Sequence, residues 1–91
     1  MSIEFDYDEQ SFNKSFGESV RNARGELDWS QRKLAEALEG LGVKLDPSAV
    51  TRIERGTRDV KLREAAAIAA ALGLSLEDLA PAPTASPREQ F

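Results

Sequence analysis

Between Ser48 and Arg58 the chain carries Ser48, Arg52, Arg55, Thr57 and Arg58 around two aliphatic residues, Val50 and Ile53, spaced three apart. On a helix Val50 and Ile53 share one face, which leaves Ser48, Ala49, Thr51, Arg52 and Arg55 to meet a partner. That inventory suits recognition of a polyanion with readable edges. A guanidinium such as Arg52 pairs bidentately with guanine O6 and N7, and a serine such as Ser48 serves several bases. An alanine methyl such as Ala49 packs on a thymine methyl. Thr51, Arg55, Thr57 and Arg58 stand at a spacing that could line an adjacent phosphate backbone. Upstream, Gln31 occupies a helix start, where its amide and the first-turn N–H groups could hold a phosphate. Lys44, in the connector between the two helices, adds a further cation.

These residues need rigid elements to place them. Asp46-Pro47 is a strong helix start, because Asp46 caps and Pro47 has no N–H to leave unpaired. Gly56 stops the same helix. The preceding helix opens at Ser30, with Trp29 ahead of it as a staple, and its buried face reads Leu34, Ala35, Leu38 and Leu41. A first helix starts at Ser11 and carries Phe12, Phe16, Val20, Ala23 and Leu27 as one stripe, ending near Leu27-Asp28. A fourth, Leu62 to Leu72, turns Leu62, Ala65, Ile68, Ala69 and Leu72 inward and stops at Gly73. Ser75 caps a last short turn through Leu79. The expectation is an all-α, compact five-helix domain over residues 11–80. An acidic N-terminal arm (1–10) and a Pro-rich tail (81–91), expected to be disordered or a linker, flank it.

Two short helices joined by a turn form the unit whose second helix enters the major groove of DNA. The formal net charge of −4 argues against a polyanion partner until its distribution is considered. Glu4, Asp6, Asp8 and Glu9 put −4 into residues 1–9. Residues 31–63 hold eight bases against five acids, a local +3. A groove responds to charge within a Debye length of about 8 Å, so the basic middle is what matters.

The composition leaves little for catalysis. There is no His and no Cys, hence no disulfide framework, no zinc finger, no thiol nucleophile and no imidazole base. No phosphate-cradling glycine loop occurs, and no metal or cofactor is expected; the chain reads as a non-enzyme. No apolar run approaches the roughly 20 residues of a membrane span. The acidic N-terminus is unlike a signal peptide, so a cytoplasmic protein is expected.

Glu54 poses a problem, since a carboxylate close to the recognition face would repel phosphates. A partner is required, and Arg24 on the first helix is the candidate. Their pairing would fix the first helix against the third and mask the charge.

Three ordered blocks carry a family resemblance: Ser30-Gln31-x-x-Leu34-Ala35-x-x-Leu38, Val50-Thr51-Arg52-Ile53-Glu54-Arg55-Gly56-x-Arg58, and Ala67-Ile68-Ala69-x-Ala71-Leu72-Gly73-Leu74-Ser75-Leu76-x-x-Leu79. Over about residues 13–80 the chain resembles the Cro/C1-type (Xre) helix–turn–helix family of phage repressors and bacterial regulators. The resemblance implies a lambda-repressor-like domain that binds double-stranded operator DNA, often as a homodimer, to repress or regulate transcription. It implies base reading by Ser48, Ala49 and Arg52, phosphate contact by Gln31 and backbone contact by Arg55. It also implies an interhelical ion pair of Arg24 with Glu54. The link from Leu38 to Pro47 is longer than usual in the family, and Lys44 in that turn is an added backbone contact. A second function class stays open: an antitoxin-like or adaptor protein binding a protein partner through the acidic arm or the C-terminal tail.

Overall fold

The computed structural model describes residues 9–80 and is all-helical over them. Five helices follow one another: α1 (Glu9–Glu26), α2 (Gln31–Gly40), α3 (Pro47–Arg55), α4 (Leu62–Leu72) and α5 (Leu76–Leu79). The helix α1 begins two residues inside the expected arm. Most of that arm, and the whole Pro-rich tail, lie outside the described residues.

Local signals account for the helix ends. Ser30 accepts the Lys33 N–H at 3.0 Å, and Asp46 accepts the Ala49 N–H at 2.8 Å. Both satisfy donors that a helix start leaves unpaired. At the other end of α2, the N–H groups of Gly42 and Val43 return to the carbonyls of Glu39 and Leu38. This closure turns the chain so that Val43 and Leu45 both bury in the core. The same closure ends α3 at Gly56, whose φ of 76° is one that side chains rarely adopt.

The core is built from Phe16 and Val20 of α1, Leu34 and Leu38 of α2, Val50 and Ile53 of α3, Ile68 and Leu72 of α4, and Leu79 of α5. Phe12 stacks on Phe16, with ring centroids 6.1 Å apart. Trp29 is half-buried against the core, and the Lys33 ammonium sits 5.7 Å over its ring. Three residues expected inside are outside: Leu27 (43% exposed), Leu41 (51%) and Leu62 (74%). Each lies at or just beyond a helix end. Leu27 follows α1 where Asp28 (φ 57°) reverses the chain, and Leu41 caps α2 as the backbone leaves the helix. Leu62 is the first residue of α4, where side chains tilt past the N-terminal edge of the packed face.

The packing of α1 on α3 is closer than side chains allow. A Cβ on Gly17 would fall on the Ile53 carbonyl oxygen and 2.6 Å from that of Glu54. A Cβ on Gly56 would come 2.7 Å from the Lys14 Cα. Asn13 donates to Asp59 Oδ1 at 2.8 Å, tying the start of α1 to the loop after α3. In the same loop Arg58 donates to both carboxylate oxygens of buried Glu64, at 3.0 and 3.2 Å.

Two outcomes test this packing. Gly17→Ala should destabilise the domain by about 1–3 kcal/mol through overpacking. Gly25→Ala, in the same helix with nothing within 4 Å of its added carbon, should stabilise by about 0.5–1 kcal/mol; urea unfolding giving both changes the same sign would contradict the close approach. The hydrogen bonds from Arg58 hold the Glu64 carboxyl below the ordinary range despite its burial, with the Lys61 N–H assisting. A carboxyl depressed in the folded state adds stability above its unfolded value near 4.3, and that stability is lost as pH falls through the folded value. Glu64→Gln should therefore flatten the loss of stability below about pH 4.3. An acid limb as steep as in the native chain would show that the pair adds nothing.

Candidate nucleic-acid interface

The solvent side of α3 is a stripe of Ser48, Arg52 and Arg55, spaced four and three apart, all exposed. Thr51 is half-buried at its edge. The opposite face buries Ala49 and Glu54 together with Val50 and Ile53. Ala49, expected to present its methyl to a base, is only 5% exposed and belongs to the core. The buried face is four residues wide, because positions 49 and 50 both lie one turn before Ile53. An alanine is small enough to fill the wider half.

Behind α3 a polar network joins three helices. Arg24 donates from Nε to Glu54 Oε2 at 2.7 Å and from Nη2 to Oε1 at 3.0 Å, and its Nη1 reaches the Trp29 carbonyl at 2.7 Å. Gln31 donates from Nε2 to the same Glu54 Oε1 at 3.0 Å. The Thr51 hydroxyl lies 2.6 Å from Gln31 Oε1 and 3.0 Å from the Pro47 carbonyl, and its single proton serves one of them at a time. The Glu54 side chain is 4% exposed. Hydrogen bonding to that carboxylate raises the Arg24 pKa further above its ordinary value against the opposing cost of burial. The helix α3 thus carries its carboxylate inward, already matched by a cation.

The network changes the outlook for two expected phosphate contacts. The Gln31 amide is engaged at both ends within the protein, and the Thr51 hydroxyl is engaged with it. What α2 still offers is backbone. Its cap takes the Lys33 N–H, and the N–H groups of Gln31 and Arg32 have no partner among the described residues. Beside them is a polar cleft of about 460 Å³ lined by Arg21, Arg24, Gln31, Thr51, Glu54 and Arg55. Arg21 was not singled out from sequence. Its signal was only that it lies off the apolar stripe of α1.

The remaining expected residues are dispersed around this face. Thr57 is exposed, and its hydroxyl donates to the Arg52 carbonyl at 3.2 Å. Arg58 is drawn away by Glu64 and by the Asp59 carbonyl at 3.0 Å, so most of its charge is spent within the fold. Lys44 is exposed in the long turn and lines a second groove of about 440 Å³ with Arg32 and three carboxylates, Glu36, Glu39 and Asp46. Arg52 and Arg55 have no ion pair among the described residues. Among the described residues no cluster has the composition of a metal site, and no helix is long and apolar enough to cross a membrane.

The helix-turn-helix family model (HTH_3) matches residues 20–79, which contain all of α2 through α5. Among solved structures, the restriction-modification controller protein C.AhdI from Aeromonas hydrophila superposes with a TM-score of 0.70 at 32% identity, over 80% of this chain and 99% of that one. The DNA-binding domain of BldD gives 0.67 at 25% identity, over 79% and 97%. The hydroxypropylphosphonic acid epoxidase from S. wedmorenis gives 0.69 at 25% identity, but the match spans only 36% of its chain. No curated protein matches. The shared helices, the capped α2–turn–α3 unit and the outward basic stripe agree with the family match: the chain belongs to the Cro/C1-type helix-turn-helix family of DNA-binding regulators.

Proposed function

We propose that the chain binds double-stranded DNA sequence-specifically, with α3 in the major groove, and so regulates transcription as a repressor-type protein. The observation that carries this reading is the Ser48–Arg52–Arg55 stripe, exposed and free of ion pairs among the described residues, on a helix whose carboxylate is turned inward. Ser48, near the N-terminus of α3, and Arg52 read base edges. Arg55, Thr57 and Lys44 contact the sugar–phosphate backbone, and Arg21 joins them across the cleft beside the first turn of α2. Gln31 and Thr51 act mainly by holding α2 and α3 in register, while Arg58 contributes its residual field. Binding rather than chemistry is the activity, and the cytoplasm, where bacterial regulators meet their operators, is its place.

A nine-residue helix with so few outward side chains reads only a few base pairs. Useful specificity then calls for a second reading unit, and a homodimer on a two-fold operator is the simplest supply. The adaptor alternative depends on the arm and the tail, outside the described residues, and no observation on the helical domain favours it.

Random-site selection followed by titration tests the assignment. Arg52→Ala should relax preference at one base position by about 1–3 kcal/mol. Arg55→Ala should weaken all sequences alike and reduce the slope of log affinity against log salt by about 0.9. Failure of any duplex to bind at low salt would overturn the reading.

A further inference from the structure

Arg52, Arg55 and Arg58 follow one another at three-residue spacing, but their surroundings differ. The first two are exposed and free of ion pairs among the described residues, whereas Arg58 is held by Glu64. Of its five N–H groups three are spent within the fold: one on each Glu64 oxygen, at 3.0 and 3.2 Å, and one on the Asp59 carbonyl at 3.0 Å. The fields of Asp46 and Asp59 act on it as well. The loop that carries it lies against the end of α3, because the N–H and the hydroxyl of Thr57 both return to the Arg52 carbonyl. Arg58 therefore stands beside the basic stripe with its charge turned to α4.

The needs of α4 do not explain the charge on Glu64. It is the third residue of that helix, and its Oε1 accepts the Lys61 N–H at 3.0 Å. A neutral glutamine carbonyl meets that donor too, and capping boxes use either residue. Burying a carboxylate costs free energy that a neutral amide largely avoids. What the negative charge adds is a two-point grip on Arg58. The partners are also unequally placed: the Arg58 side chain is 27% exposed and that of Glu64 8%. A released guanidinium can turn outward, and the carboxylate cannot follow it.

We propose that Glu64 is a positioning residue for DNA binding: it holds Arg58 off the phosphate backbone and so withholds one sequence-independent contact. The restraint rests on the DNA-binding reading and deepens it. Base reading by Ser48 and Arg52 is untouched; Glu64 sets how firmly any duplex is gripped. One neutralised phosphate contributes about 0.9 to the slope of log affinity against log salt, which near 0.1 M salt is about three- to tenfold in affinity.

The test compares the full native chain with Glu64→Gln and with Glu64→Gln/Arg58→Gln, each checked for folding by urea unfolding. Each is titrated with a selected duplex and a scrambled one over a range of salt. Glu64→Gln should bind both duplexes about three- to tenfold more tightly near 0.1 M salt, with a slope steeper by about 0.9. The double variant should return to the native slope, because the released cation is no longer there. A gain that survives in the double variant would overturn the proposal, since loss of a negative charge alone would then account for it. Native affinity and slope in Glu64→Gln would overturn it too, leaving the DNA-binding reading intact. Should Glu64→Gln fail to fold, Arg58→Lys takes its place. A lysine cannot grip both oxygens, so its slope should steepen, and an unchanged slope would sink the proposal. In free protein the Arg58 Nη protons should exchange with water more slowly in the native chain than in Glu64→Gln; equal rates would show that the grip is absent in solution. Binding of no duplex by any of these chains would retire the DNA-binding reading and the restraint with it.

Discussion

The buried carboxylate of α3 must be kept from acting as a free charge. Glu54 sits one residue from the buried Ile53, and an unpaired anion there would be costly to bury and would oppose any polyanion approaching α3. Arg24 meets it with two parallel hydrogen bonds, and Gln31 adds a third donor to the oxygen Arg24 shares with it. One carboxylate therefore ties α1, α2 and α3 together, and Thr51 closes the circuit by engaging Gln31. Such a pair contributes little net stability, because desolvation offsets most of the attraction. Its effect is geometric: α3 is held at one orientation with its cations outward and its anion inward.

The geometry has a steric condition. Arg24 reaches Glu54 because α1 and α3 approach at backbone distance, with Gly17 against the carbonyls of Ile53 and Glu54 and Gly56 against Lys14. A glycine inside a helix normally costs about 1 kcal/mol relative to alanine. At Gly17 that cost is offset by contacts that no side chain would permit. The approach also sets α1 beside the outer face of α3, which is how Arg21 comes to line a cleft with Arg55.

Much of this was legible in the sequence because the relevant forces are local. Caps at Ser30, Asp46-Pro47 and Gly56 act within a few residues, and apolar spacing identified Phe16, Val20, Leu34, Leu38, Val50, Ile53 and Ile68 as core. Arg24 could be inferred because a carboxylate near a polyanion site requires a partner. Periodicity misled at helix ends: Leu27, Leu41 and Leu62 continue a stripe whose helix has stopped or has only begun. It also misled at Ala49, whose small methyl gives little signal either way yet fills the second half of a wide buried face. The engagement of Gln31 with Glu54 and of Arg58 with Glu64 depends on tertiary proximity across 23 and 6 residues, which spacing alone does not reveal. Gly17 was silent for the same reason.

A double-mutant cycle on Arg24 and Glu54 tests the claim that this pair is one coupled unit orienting α3. Arg24→Met and Glu54→Met should each cost about 2–4 kcal/mol in urea unfolding, because each strands a partly buried charge. The double variant should cost far less than their sum, with a coupling of about 1.5 kcal/mol or more. Additivity within about 0.5 kcal/mol would contradict the account.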